Sequence, residues 1–457
     1  MFKGGVRMEL INMTLREIVL ATDGQFCGDS AVLDKCISGA VIDSRKAEES
    51  SLFFAIRGTK TDGYDYIPAA VKNGAICCVA ERGFDGYNCI IVPDVLKALQ
   101  QIAMAYRAKL NITVVGITGS VGKTTTKEIV ASVLEQKYRV VKTQGNFNNE
   151  IGLPLTVLSI KPDTEVAVIE MGMNHFGEMR LLSSIARPTM CIITNIGVSH
   201  IENLGSRENI YAAKSEIFEH MPPAARCVLN GDDDLLRTST RYNKCFYGFN
   251  NDNDVYIESF FERGFDGIDF SVSLFGEHYD CHIDLPGRHV LFAAMAAMAA
   301  GSWLGLTHDQ LVMGINNAKT LSGRANVIKT EKYTLIDDCY NAAPSSVESG
   351  IDLLTKCRGE RKVCVLGDMG ELGLDAPLLH RHVGEHAAKC KIDLLIAIGE
   401  LSKHTYKGMV ESGGKALYYS TKDEFLSDAD KILCNGDVVL IKASHFMKFD
   451  EIVERLK

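Results

Sequence analysis

Apolar runs and polar breaks divide the chain into three stretches. Up to about Leu110, short apolar runs (Leu52–Ile56, Ala75–Ala80, Cys89–Val92) alternate with turns containing Gly and Asp, and this reads as short strands. The spacing over Val95–Lys109 predicts a helix closing that stretch. A second pattern begins at Ile112-Thr-Val-Val-Gly-Ile117, a β-branched run typical of a strand buried on both faces. Similar runs recur at Thr164–Ile169, Met190–Asn195 and Arg226–Asn230, with helical periodicity between most of them. The third stretch repeats the alternation at Tyr333–Ile336, Lys362–Leu366, Leu394–Ile398 and Asp437–Ile441. Strands alternating with helices predict an α/β fold with doubly wound, mainly parallel sheets. Boundaries near Leu110 and Gly323 give three expected domains: 1–110, 111–323 and 324–457. The most apolar segment, Leu291–Leu306, is shorter than the ~20 residues a membrane span needs. It is expected to be a buried helix.

Composition narrows the functional classes. The 457 residues are 46% hydrophobic and 23% charged, enough for sizeable cores. The formal charge of -9 argues against a general nucleic-acid binder, and one Trp argues against base-stacking platforms. The 14 cysteines are scattered and include no C-x-x-C, so neither a zinc framework nor a disulfide scaffold is expected. The N-terminal MFKGGVRMELINM has no long apolar core of a signal peptide. A soluble, cytoplasmic protein that binds neither membrane nor nucleic acid is the expectation.

The segment Thr118-Gly-Ser-Val-Gly-Lys-Thr-Thr125 follows the strand Ile112–Ile117 and precedes a helical pattern over Lys127–Lys137. Its glycines, Gly119 and Gly122, let backbone N–H groups converge on phosphate oxygens. Ser120, Val121 and Thr125 complete the loop. Lys123 would reach the β- and γ-phosphates, and Thr124 would offer its hydroxyl to Mg²⁺. In an open α/β sheet, ligands bind at the C-terminal strand ends. Glu170 ends the run Thr164–Ile169 and His200 lies just past Met190–Asn195, so both are candidate metal ligands on the same edge. Ser206–Met221 reads as an amphipathic helix capped by Ser206, with Ile210, Ala213, Ile217 and Met221 forming its apolar stripe. Lys214 sits on that inward face. Spacing alone leaves two readings open: a side chain snorkelling at the stripe's edge, or a lysine held at the metal–phosphate site.

These residues, with further segments along nearly the whole chain, resemble the Mur ligase family, and within it the branch that adds D-alanyl-D-alanine. The segments are Asp43-Ser-Arg45, Leu52–Gly58, Asp62–Ile67, Gly145–Gly152, Glu170–Glu178, Lys214–Phe218, Leu285–His289, Ser322-Gly-Arg324, Asp337–Ala342 and Gly367–Gly373. The resemblance implies an ATP-dependent amide ligase of peptidoglycan synthesis, a cytoplasmic monomer of three domains. The first, small and α/β, would bind the UDP-MurNAc-tripeptide. The second would be a P-loop ATPase, and the third, Rossmann-like, would close over both. Ser44, Arg45, Asn146, Asn148, Asn149, Asn174 and His175 are the implied substrate contacts, and Arg324 and Asp338 join the loop in holding ATP. Thr124, Glu170, His200 and Lys214 become the Mg²⁺ ligands, with Lys214 carbamylated. Lys123, Glu170, His200 and Lys214 are the implied catalytic set.

Three departures from the family pattern stand out. His289-Val-Leu-Phe-Ala293 replaces His-Asn-x-x-Asn, so Val290 and Ala293 stand where relatives carry asparagines. Ala343 replaces Asn in the Tyr340–Pro344 segment. His445 replaces Arg near the C-terminus, removing a permanent charge and a bidentate donor. Two alternatives therefore stay open: a sister amide ligase of the family, and a non-catalytic UDP-peptide-binding homologue.

Overall fold

The chain builds three sheets, stacked along the sequence. A computed structural model describes residues 10–59, 61–241, 243–319 and 323–457. Residues 1–9 and Ser322 of the Ser-Gly-Arg segment lie outside the described residues.

The first sheet holds Gln25–Cys27, Cys89–Ile91, Cys77–Ala80, Leu52–Phe54 and Ala40–Val41 in that spatial order. All its pairings are parallel except that of Gln25–Cys27 with Cys89–Ile91. The helix Val95–Lys109 follows, its first turn capped by the Asp94 carboxylate, which accepts from Lys97 N. Sequence periodicity placed this helix with the first stretch; its buried face packs both on the first region's helix Leu15–Thr22 and on the second region's helices Gly152–Val157 and Glu178–Ala186. The Tyr106 hydroxyl donates to Ile160 O at 2.6 Å, and the buried Arg107 donates to Ala186 O and Arg187 O. One continuous apolar core runs from Ile11 and Leu99 to Ile193 and Leu229.

The second sheet has nine strands. From Val140–Lys142 it runs through Val166–Glu170, Thr113–Thr118, Met190–Ile193, Arg226–Asn230 and Lys244–Gly248 to Val255–Glu262, all parallel. Two antiparallel strands, Ile268–Leu274 and Glu277–Ile283, extend it. The sequence reading did not include this hairpin, although Ile268, Phe270 and Val272 alternate inward as a half-buried strand requires. The central strand Thr113–Thr118 lies between Val166–Glu170 and Met190–Ile193, which sets the loop after it between the ends of those two neighbours.

The expected buried helix is present at His289–Trp303, two residues earlier than its apolar run suggested. It is apolar around nearly its whole circumference because it is enclosed, packed against the helix Lys123–Leu134 and the central sheet. The helix after the loop starts at Lys123 rather than Lys127, capped by Gly122 with φ of 81°. The amphipathic segment at 206–221 divides into an α-helix Arg207–Ser215, capped by Ser206 as expected, and a 3₁₀ turn Glu216–His220. The break has a purpose in the packing: the Glu216 carboxylate accepts from Gly177 N and Arg180 N, satisfying the free donors that open the helix Glu178–Ala186.

The third sheet runs Asn326–Lys329, Thr334–Asp337, Asp437–Lys442, Arg361–Gly367, Leu394–Ile398 and Ala416–Tyr419, parallel except at its first strand. Helices Pro344–Lys356 and Ala376–Lys389 cover one face over Ile351, Leu354, Cys364 and Leu440. Among the described residues no helix is long and apolar enough to cross a membrane.

Candidate active site

A cavity of about 660 Å³ opens between the second and third sheets. Its floor is the loop after Thr113–Thr118. Gly119 adopts φ of 146°, and a Cβ there would stand 1.9 Å from the Thr194 hydroxyl oxygen, so only glycine fits. The neighbouring strand end holds the loop: Ser120 N donates to Asn195 O, Val121 N to the Asn195 side chain, and the Thr194 hydroxyl to Val121 O. Lys123 folds over the loop, its Nζ donating to Gly119 O at 2.7 Å and to Ser120 O. Burial lowers its pKa and the Arg324 charge adds to this, while Glu170 and Glu371 act the other way.

Glu170 is buried at the tip of its strand and fully engaged. It accepts from the Thr124 hydroxyl and from Asn148 Nδ2, each at 2.8 Å. Behind it lies Lys127, wholly buried, which donates to Thr143 O at 2.7 Å, pairs with Glu128 at 3.0 Å and stands 3.9 Å from Glu170. Sequence reading passed over Lys127 as a helix residue. No local pattern distinguishes a buried lysine from an exposed one: Glu128 is adjacent, but Thr143 and Glu170 lie 16 and 43 positions away.

His200 sits at the start of the short helix Ile201–Leu204 with φ of 66°, its ring in the cavity wall. Its Nδ1 is 2.5 Å from a Glu371 carboxylate oxygen, an ion-pair contact without aligned hydrogen-bond geometry. The His200 ring beside it holds the Glu371 carboxyl below the usual range. Glu371 comes from the third sheet's loop, so this contact joins the two halves of the cavity; only the resemblance of Gly367–Gly373 pointed to that loop in sequence.

Lys214 is 1% exposed. Among the described residues its Nζ has neither a hydrogen bond nor an ion pair, and burial drives its pKa well below the usual lysine range, with Lys123 adding to the effect. The Lys214 stem is therefore enclosed by its neighbours rather than laid along the surface. Lys214 lies behind the cavity lining rather than in it.

The opposite wall belongs to the third sheet. Arg324 lies over the Tyr340 ring at 4.1 Å. Asp338 pairs with the buried Lys442 at 2.6 Å and accepts from Ala325 N. Tyr340, Asn341 and Lys442 line the cavity, and sequence reading had given none of them a site role. Of the expected substrate contacts, Asn146, Asn148, Asn149 and Asn174 line the cavity. His175 does not; it is exposed and meets Glu178 at 3.1 Å. Ser44 and Arg45 lie apart, beside the first sheet, where the exposed Arg45 guanidinium makes a bidentate pair with Asp43 and holds that carboxyl at about 2. The departures Val290 and Ala293 face the cavity beside Tyr247 and Phe292, giving an apolar wall without a hydrogen-bond donor from those two positions. Ala343 opens the helix Pro344–Lys356 at the cavity edge, and His445 is exposed beside Tyr340.

Comparison with known proteins matches most of the chain. Residues 37–116 match the Mur ligase family catalytic domain, 117–301 the Mur ligase middle domain and 323–445 the Mur ligase glutamate ligase domain. The UDP-N-acetylmuramoyl-tripeptide–D-alanyl-D-alanine ligase of Bacillus subtilis is 37% identical, over 92% of this chain and 93% of its own. The Escherichia coli enzyme of the same name is 30% identical over 98% and 99%. A crystal structure of MurF from Acinetobacter baumannii superposes with a TM-score of 0.89 at 28% identity, covering 98% of this chain and 99% of that one. A Thermotoga maritima MurF ligase in complex with ADP gives 0.80 at 30% identity, covering 91% and 96%. The chain belongs to the Mur ligase family, and these relatives are its MurF members.

Proposed function

We propose that this protein is an ATP-dependent ligase that joins D-alanyl-D-alanine to UDP-MurNAc-tripeptide in the cytoplasm. Its product would be the pentapeptide precursor of peptidoglycan. The observation that carries the reading is the convergence of Lys123, Thr124, Glu170, Arg324 and Lys442 on one cavity between two sheets, in a chain similar to MurF ligases over nine-tenths of its length. Residues 1–110 would hold the UDP-linked substrate, 111–323 ATP, and 324–457 would close the site.

A carboxylate does not acylate an amine, because its leaving group would be oxide. Transfer of the γ-phosphoryl group makes an acyl phosphate, the amine of D-alanyl-D-alanine attacks it, and phosphate leaves. The loop's N–H groups, Lys123 and Arg324 offset the phosphate charge and align it. Asn146, Asn148, Asn149 and Asn174 orient the peptide carboxylate. Burial between two sheets limits hydrolysis of the acyl phosphate.

The donor set fits Mg²⁺ through its oxygens, the Glu170 carboxylate and the Thr124 hydroxyl bonded to it; His200 would join through Nε2, since its Nδ1 meets Glu371. Bound there, the ion would supply Lewis-acid stabilisation of the phosphoryl oxygens. Burial lowers the Lys214 pKa and so favours the neutral amine, the form that adds CO₂; the N–C bond forms as an N–H proton passes to solvent, and the carbamate would convert a buried base into an anionic ligand.

Coupled phosphate release with UDP-MurNAc-tripeptide tests the reading. D-Alanyl-D-alanine should support turnover. If lysine, glutamate or meso-diaminopimelate supports it and D-alanyl-D-alanine does not, the protein is a sister ligase. Tight calorimetric binding of the UDP-peptide without ligation at high ATP identifies a non-catalytic binder.

A further inference from the structure

On the far side of the third sheet's helical layer, three side chains of different chemistry converge. Asp352 comes from the helix Pro344–Lys356; His386 and Cys390 come from the end of Ala376–Lys389 and the residue that caps it. The Asp352 Oδ1, His386 Nε2 and Cys390 Sγ lie mutually within 4.8 Å. The separations are 2.8 Å from Nε2 to Oδ1, 3.5 Å from Sγ to Nε2 and 3.6 Å from Sγ to Oδ1.

A tetrahedral zinc ion, with bonds of about 2.3 Å to sulfur and about 2.0–2.1 Å to nitrogen and oxygen, sets ligand-to-ligand edges of roughly 3.3–3.6 Å. Both sulfur edges already have that length. The third edge is a hydrogen bond, and opening it by about half an ångström completes the triangle. A Cys–His–Asp proton relay does not fit, because the carboxylate and the sulfur approach the same ring nitrogen. A thiolate, an imidazole and a carboxylate together select zinc over magnesium or calcium.

The spacing explains the geometry. His386 and Cys390 are four apart, so they share one helix face, and the Cys390 N–H bonds back to His386 O at 2.9 Å to keep that turn helical. The helix C-terminus directs unpaired carbonyls, and so negative potential, to the same place. The Asp352 side chain is 59% exposed and that of His386 29%, which leaves an entry path and a fourth position for water.

We propose that Asp352, His386 and Cys390 form a zinc site, separate from the nucleotide cavity, that fastens the helices Pro344–Lys356 and Ala376–Lys389 together. Binding forms a Zn–S bond and breaks the S–H bond of Cys390; the proton goes to solvent and no electron is transferred. The first of these helices lines the cavity with Ser346, Ser349 and Leu353, so the site braces the cavity wall from behind.

The test is titration of the reduced, chelator-treated full-length protein with Co²⁺ in excess Mg²⁺, followed by Zn²⁺. One equivalent of Co²⁺ should give a thiolate-to-cobalt charge-transfer band with tetrahedral ligand-field absorption, bleached by Zn²⁺. Cys390→Ser should lose the charge-transfer band, and His386→Gln and Asp352→Asn should each weaken Co²⁺ binding at least tenfold. No such band in the wild type, or an equal band in Cys390→Ser, overturns the site. Zn²⁺ should also raise the thermal midpoint of the wild type and not of His386→Gln; an equal rise in both overturns the fastening role.

Discussion

Lys123 is half-buried and Lys214 enclosed, and their surroundings prepare them for different work. Lys123 rests on two loop carbonyls that a phosphate-bound lysine would leave. Lys123→Ala should lower coupled phosphate release by about 10³-fold or more, while calorimetry finds UDP-substrate affinity within twofold of wild type. Normal turnover in that variant removes the loop from the mechanism. Among the described residues Lys214 has no ion-pair partner to hold its proton, and its depressed pKa suits carbamate formation. Lys214→Ala should be nearly inactive and should recover substantially in acetate or propionate, which can supply the missing anionic oxygens. Failure of every short carboxylate to restore phosphate release counts against the carbamate. The sequence placed Lys214 on an inward face. It could not say that, among the described residues, no ion pair holds it, because that depends on groups distant in sequence.

Among the elements, the loop Gly367–Gly373 shows how local structure is set from a distance. Asp368 accepts from the backbone and hydroxyl of Ser402, Gly370 N donates to the Ser444 hydroxyl, and Met369 N donates to His380 Nε2 at 2.9 Å. His380 Nδ1 in turn donates to Ala376 O at 2.7 Å, so both ring nitrogens are used in the neutral form. This frame presents Glu371, at φ of 62°, to His200. Burial lowers the His380 pKa. The folded state therefore binds its proton less readily than the unfolded state, and the stability from this residue is complete above the unfolded value, about 6.5. It is lost as pH falls from there through the folded value. Denaturant unfolding of the wild type should weaken more steeply than that of His380→Asn as pH falls below about 6.5. Near pH 7.5 the variant should be less stable by roughly 1–3 kcal/mol. Parallel pH profiles would show that His380 is not the titrating group.

Across the whole molecule, the cavity joins only the second and third sheets, while Arg45 stands beside the first. If the UDP-linked substrate spans that distance, its two ends are recognised independently. Arg45→Ala should raise KM for the UDP-peptide by roughly 10- to 100-fold, the worth of one charge-assisted contact, and leave KM for ATP unchanged. A matching rise for ATP would place Arg45 in the nucleotide site instead. The helix Val95–Lys109 belongs to the same scale. It follows the first sheet in sequence and shares its apolar face between the first and second regions, which gives them one core.

Taken alone, the sequence determined the features that arise within a few residues of one another. β-branched runs gave the parallel strands, a Gly-rich turn between strand and helix marked the phosphate loop, and Ser206 capped its helix as its type requires. These follow from backbone sterics and side-chain periodicity, which act locally. The tertiary structure alone decided which side chains meet. It set Lys127 behind Glu170, brought Glu371 to His200 and Lys442 to Asp338, and closed Asp352 on His386 and Cys390 in a chain whose cysteine spacing showed no metal motif. Each of those meetings closes a loop of 34 to 171 residues. The free energy that closes it comes from burying the apolar cores on the faces of the three sheets, not from any pattern near the residues themselves.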